Sequence, residues 1–359
     1  MTATVDRVED AAVRPPDDDR RHRLVAAIGV PVAALVVALV AGGILMGVEG
    51  VAPMSVYGEV LRGVFVLDGG LRDTAVVATP LLLIGLGLAV AYRAKVFTIG
   101  AEGQYIVGAV AATGWATAEG VRGWPGPVLV LTSLMVAVAA GACWAAVTAG
   151  LNARFGASVV ITSLLLNYVA AALLAWAVRV GIRDPGAFTP QSRPIGAAGL
   201  PEVPGPAIHL GFVLALAAVP LAGVLLARSR FGYRVDVLGA GKEVLGAGEA
   251  RPARVTLAVL AVCGALAGLA GYVEVAGVTE RVTPDFATGY GYTAIIVALL
   301  GRLRPTGVLI AAFALAALST GFDAAERGYE IPSSTAGVVQ ALVVVFFVAG
   351  DALAHRMGR

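Results

Sequence analysis

Apolar residues in this chain run in long uninterrupted blocks rather than at the spacing of a half-buried surface helix. Leu24 to Val48 is 25 residues without a charge. That exceeds the roughly 20 needed to cross a bilayer core and is too long for the apolar region of a signal peptide. Further blocks are Thr74–Tyr92, Tyr105–Ala118, Pro125–Leu151, Val159–Val178, Ala207–Ala227, Val255–Val278, Gly289–Gly301, Gly307–Gly321 and Ser334–Gly350, ten in all. Tyr105–Ala118 (14 residues), Gly289–Gly301 (13) and Gly307–Gly321 (15) are short for a crossing. The first two adjoin glycine-rich breaks, VFTIGAEGQ (Val96–Gln104) and GYGY (Gly289–Tyr292). Short, glycine-interrupted segments in the two halves of a chain mark discontinuous helices that line a transport path. The same pattern also suits closely packed helices with glycine contacts and no path. The path is the preferred reading, because irregular backbone at membrane depth needs cover from protein or water.

The expected fold is therefore all-α, a polytopic membrane protein of about ten transmembrane helices, some short and discontinuous. Residues 1–23 form a charged, proline-containing cytoplasmic tail unable to bury a core. Residues 24–350 form the membrane domain and 351–359 a cytoplasmic C-terminal tail. With ten spans and both termini inside, 18 of the 26 Lys and Arg residues fall on the inner side and 8 on the outer, as the positive-inside rule requires. Trp115, Trp124 and Trp176 then sit at the outer interface as an aromatic belt. Ser55–Val66 places Val56, Val60 and Val64 at helical spacing, which reads as a short interfacial helix or an apolar loop. The Arg179–Pro206 loop is either a dock for an extracytoplasmic partner or a connector.

Composition narrows the class. Hydrophobic residues make up 58% of the chain and charged residues 14%, with 46 glycines, a balance that suits helices packed closely in a cell membrane. A net charge of +2 gives no field for nucleic acid. Cys143 and Cys263 lie inside apolar runs and read as small hydrophobes. The three histidines are far apart, with no metal-ligand spacing, and no nucleophile–base pair or cofactor motif is evident. Gly241-Lys242 is followed by Glu243, and Asp236 occupies the place of a first glycine, so there is no P-loop. No catalytic residue, metal or cofactor is expected.

The largest inner loop, Arg228–Arg254, carries six basic and three acidic residues. Its middle, Lys242–Ala250, can form a short helix punctuated by Gly246 and Gly248. A protein with no nucleotide site of its own needs a mechanical or ionic coupling point, and this loop is either that or a solvated positive-inside loop. Within the spans, Glu274 costs about 3 kcal/mol at membrane depth, so it lines a path or bonds to a neighbouring helix. Glu102 and Gln104 follow a helix break and suit capping of the helix that follows, or solute contact. Asn167, with Thr162 and Ser163 about a turn earlier, suits interhelical hydrogen bonds more than solute contact. Tyr290 and Tyr292 offer faces on which a base can stack.

VFTIGAEGQYIVGAVAATG (Val96–Gly114) resembles the G-x-F-N-I-G-x-E-G-Q signature of permease subunits in ABC importers for nucleosides, simple sugars and branched-chain amino acids. VVITSLLLNYVA (Val159–Ala170), CGALAGLAGYVEVAGV (Cys263–Val278) and GYGYTAIIVALLGRLRPTGVLIAA (Gly289–Ala312) fit the same family in the same order. The E-G-Q, L-N-Y and Y-G-Y runs are most similar to nucleoside-importer permeases. The resemblance implies a transport subunit rather than an enzyme, working by alternating access. Its implied partners are cytoplasmic ATPase subunits, a second and non-identical permease, and an extracytoplasmic solute-binding lipoprotein. It also implies that Gly239, Lys242, Glu243, Leu245 and Gly246 meet the ATPase. Thr98 departs from the signature's Asn, and Gly241, Val244 and Leu245 depart from the coupling segment's Asn and Ala-Ala. A sugar such as ribose, or an ion-coupled transporter using Glu274 and Glu102, are the alternatives.

Overall fold

The computed structural model describes residues 33, 36–48, 50–121, 123–203, 208–241, 251–287, 289–329, 337–339, 341–346 and 349–350. Both charged tails, and Lys242, Glu243, Leu245 and Gly246, lie outside the described residues. In chain order the helices are α1 (Val36–Val48), α2 (Pro53–Phe65), α3 (Gly70–Arg93), α4 (Ala101–Ala116), α5 (Gly126–Phe155) and α6 (Val159–Trp176). They continue with α7 (Leu210–Arg228), α8 (Arg230–Ala240), α9 (Pro252–Glu274), α10 (Tyr290–Leu300), α11 (Pro305–Tyr329) and α12 (Gly337–Phe346). A two-stranded antiparallel hairpin, β1 (Glu202–Val203) and β2 (Ile208–His209), precedes α7.

Six helical segments among the described residues are long and apolar enough to cross a membrane: Gly70–Arg93, Gly126–Phe155, Val159–Gly181, Leu210–Arg228, Pro252–Thr279 and Pro305–Gly328. A seventh is added if α1 and α2 form one bent span. Length and composition thus do not reproduce a count of ten. The expected short helices α4 and α10 are indeed short, at 16 and 11 residues. The third, expected over Gly307–Gly321, is instead a 25-residue helix. Hydropathy ends at Gly321 because Asp323, Glu326 and Arg327 follow, but those residues are compatible with helical backbone and the helix continues through them. The Ser55–Val66 segment is helical as α2, with Val56 and Val64 buried.

The described residues before Val60 and after Ala324 form one compact unit, and Val60–Ala324 forms the other. In the first, the Tyr57 hydroxyl donates to the Leu39 carbonyl at 2.6 Å, and Met46 and Val339 are buried.

In the second unit, α3 and α9 are central. Every residue of α3 from Ala78 to Tyr92 is buried, as expected of a helix that is apolar all round. Helix α9 packs on α3, α4 and α5 through a small-residue seam. A Cβ on Gly268 would collide with the Ala137 carbonyl of α5, and one on Gly271 with the Tyr105 carbonyl of α4. Only glycine lets these backbones approach so closely, which is how helices associate where lipid offers no hydrophobic drive.

The peripheral helices are inside out relative to a water-soluble protein. Helix α6 buries Ser163, Asn167, Ala170 and Leu174 along one stripe and exposes Ile161 (60%), Leu165 (58%) and Tyr168 (69%). Helix α5 likewise buries Ser133, Gly141 and Thr148 while exposing Leu131 and Met135. Polar side chains facing protein and large apolar ones facing out is the arrangement a hydrocarbon solvent selects.

Helix α8 follows α7 after one residue. The Ser229 hydroxyl caps it, accepting from the Gly232 N–H at 3.0 Å while donating to the Leu225 carbonyl. The first part of the Arg228–Arg254 inner loop is therefore helical over Arg230–Ala240. The helix expected at Lys242–Ala250 lies outside the described residues.

Candidate functional site

The first N–H groups of a helix have no intrahelical acceptor, and at membrane depth water is not available to supply one. Helices α4 and α10 both begin after breaks, so the site is built around how those groups are satisfied. Ahead of α4, Lys95 turns the chain with φ +55°, and the Tyr92 hydroxyl holds the Thr98 carbonyl at 2.7 Å. The Ile99 N–H then donates to Ser163 Oγ at 3.1 Å, and the Gly103 N–H to Asn167 Oδ1 at 2.9 Å. Asn167 Nδ2 donates to the Ile99 carbonyl at 2.9 Å and to the Tyr292 hydroxyl at 3.2 Å. One amide on α6 thereby closes the start of α4 and reaches α10.

The start of α10 is closed from α4. Gly289 takes φ +84° as the residue before the helix. Its N–H donates to Glu102 Oε1 at 3.0 Å, and the Gly291 N–H donates to Oε2 at 2.7 Å. The carboxylate thus takes up the positive end of the helix dipole through two charge-assisted bonds, which offset part of the cost of burying it. The backbones touch here, since a Cβ on Gly291 would collide with the Glu102 backbone. Capping of its own helix was one expectation for Glu102; the structure gives its carboxylate to the other short helix. Hydrogen bonding by Asn167 agrees with the role expected from its sequence.

Aromatic rings flank this junction. Tyr105 stacks on Phe286 with centroids 5.0 Å apart and planes 7° from parallel, and meets Tyr290 edge-on at 6.1 Å. Tyr292 is 43% exposed, and its hydroxyl accepts from Asn167. Glu102, Asn167, Tyr290 and Tyr292 therefore come together from three helices. Gln104 is buried in the first turns of α4, with no partner for its Oε1 among the described residues. Glu274 is buried in the last turn of α9, before the π turn Val275–Thr279, close enough to Tyr290 of the junction for their charges to interact. A cavity of about 650 Å³ opens at the other end of α4, bordered by Glu119, Arg183 and Arg193.

Of the residues expected to meet an ATPase, only Gly239 is among the described residues. It lies on the Arg93 carbonyl at the end of α3, where a Cβ would collide. Next to it, Arg93 Nε and Nη2 both donate to the Asp236 carboxylate, the latter at 2.9 Å. Sequence reasoning missed this pair, along with Tyr105 and Phe286. Asp236 was visible only as an acid in a basic loop, and nothing local pointed to a partner 143 residues away.

The family profile described as branched-chain amino acid transport system / permease component matches residues 70–348. A glucose ABC transporter permease protein from Haloferax volcanii is 34% identical, over 90% of this chain and 88% of its own. A guanosine ABC transporter permease protein from Bacillus subtilis is 29% identical over 92% and 95%, respectively. A nucleoside ABC transporter permease protein from Lactococcus lactis is 25% identical over 89% and 90%. No solved structure matches the chain significantly. Together with apolar helices that face outward and a junction of discontinuous ones, this match makes the chain a multi-pass cell-membrane protein that belongs to the permease-component family of branched-chain amino acid transport systems.

Proposed function

We propose that this chain is the transmembrane permease subunit of an ATP-driven importer for nucleosides. Separate ATPase subunits would supply the energy, a second permease would complete the membrane unit, and an extracytoplasmic binding protein would deliver solute. Family membership carries the transport role, and relatives across 89 to 92% of the chain that are ABC permeases support the energy source. The observation that favours a nucleoside is the half-exposed Tyr292, whose ring suits a base, beside Asn167, whose two N–H groups are taken up within the junction and whose Oδ1 keeps a further acceptor position. Stacking is worth about 1–3 kcal/mol per base.

A sugar is the second reading, favoured by the 34% identity to a glucose permease. In either case Glu102, Gln104, Asn167, Tyr290, Tyr292 and Glu274 are proposed along the path. The segment holding Gly239, Lys242, Glu243, Leu245 and Gly246 is proposed to receive the ATPase motion, which opens the path to one side at a time.

The test is to assemble the chain with the ATPase, second permease and binding protein of its genomic neighbourhood. Hydrolysis is then measured with the binding protein loaded with guanosine, adenosine, uridine, ribose or glucose. Stimulation by a nucleoside alone is the expected result. Stimulation by ribose or glucose alone gives the sugar reading its support and removes the nucleoside.

A further inference from the structure

The bidentate pair between Arg93 and Asp236 joins two elements with different tasks. Helix α8 is the last described element before residues 242–250, the segment proposed to meet the ATPase. Helix α3 ends at Arg93, and the chain from there leads directly to the break that starts α4. Two parallel N–H···O bonds fix angle as well as distance, unlike a point-charge contact. Gly239, three residues on, adds a backbone-to-backbone contact against the Arg93 carbonyl. Both side chains of the pair are more than a third exposed, so the pair contributes direction more than strength, and the backbone contact at Gly239 closes the joint from behind.

There is little slack beyond it. Lys95 N–H donates to the Tyr92 carbonyl and Val96 N–H to the Ala91 carbonyl, both at 3.0 Å, while Tyr92 Oη grips Thr98. A shift of the α3 end must carry Thr98 and Ile99 with it. Ile99 is bonded to Ser163 and Asn167, and Asn167 to Tyr292. Glu102, in the first turn of α4, holds Gly289 and Gly291. A continuous set of short bonds thus runs from the end of α8 to the starts of both discontinuous helices.

We propose that the Arg93–Asp236 pair, with Gly239 behind it, is the strut that carries motion of α8 to the α4 and α10 starts, making Arg93 and Asp236 positioning residues for transport. This rests on the reading of the chain as an ABC permease. Neither side chain is among those proposed to touch solute, so their loss acts on the yield of transport per cycle.

The whole transporter, with the ATPase, second permease and binding protein, is reconstituted in proteoliposomes, and solute imported per ATP hydrolysed is measured. Asp236→Arg and Arg93→Asp are each expected to lower that ratio about tenfold, within the range of coupling changes for residues in one network. The paired reversal restores the bridge and is expected to recover most of the ratio. Arg93→Lys and Asp236→Asn, which keep size and solubility, are expected to lower it less. A wild-type ratio in the single reversals or, if these fail to reach the membrane, in both milder variants overturns the strut. A paired reversal that inserts but does no better than the singles also overturns it. Loss of ATP-driven uptake in the wild-type assembly would instead strike the ABC reading itself.

Discussion

At Glu102 a buried carboxylate faces two N–H groups at the start of α10, the first on Gly289, 187 residues later, and that fixes what a substitution there costs. Glu102→Gln keeps the shape, but its NH2 group cannot accept, so one buried N–H loses its partner at a cost of about 1–3 kcal/mol. Thermal unfolding in detergent should show the loss, and a variant as stable as wild type would contradict capping between the two helices. Asn167→Leu leaves the Gly103 N–H and Ile99 carbonyl unpaired together. It should therefore destabilise more than Glu102→Gln in the same assay, and the reverse order would show that Asn167 is dispensable to the α4 start. These two residues stood out in the sequence because a polar group inside an apolar block must be accounted for. Their partners did not, since capping patterns are local and a cap from a distant helix leaves no spacing to read. Asp236 was hidden for the same reason.

Among the elements, the seam around α9 separates packing glycines from incidental ones. Gly268→Ala forces a methyl group into the Ala137 carbonyl and should cost about 1–3 kcal/mol through overpacking. Gly150 of α5 has nothing within 4 Å of a Cβ, so Gly150→Ala should be neutral or gain up to about 1 kcal/mol of helix propensity. Equal melting shifts for the two would refute the seam. The hairpin before α7 gives a pH test. His209 is buried against Gly211 and Gly277, with neither ring nitrogen partnered among the described residues. Burial, reinforced by Arg72, holds its imidazole below the ordinary value of 6.5. Protonation then favours the open hairpin, so its stability is complete above pH 6.5 and falls as pH drops through the lowered value. Hydrogen exchange at Ile208–Leu210, corrected for intrinsic rates, should lose protection between pH 7 and 5 in wild type and keep it in His209→Phe. A pH-independent wild type would remove His209 from that role. The presence of long helices was legible from hydropathy, but their ends were not: α11 runs on through Asp323 and Arg327, where the apolar block stops and the helix does not.

Across the whole molecule, the inside-out surface of α5 and α6 and the two short helices placed start to start support a protein that moves solute across a membrane. Hydropathy, the two breaks and the E-G-Q, L-N-Y and Y-G-Y runs make that class readable in the sequence. The solute was less readable, because Asn167 and the tyrosines serve the packing of the junction as well as any ligand. The energy source separates ATP-driven import from the ion-coupled alternative, in which Glu274 and Glu102 carry cations. The most direct measurement is uptake of labelled nucleoside and sugar into proteoliposomes, by the chain alone under a pH gradient and by the assembled complex with and without ATP. An ATP-driven permease gives no gradient-driven uptake by the chain alone and uptake by the complex only with ATP. Uptake by the chain alone, driven by the gradient and abolished by Glu274→Gln, would contradict ATP-driven import.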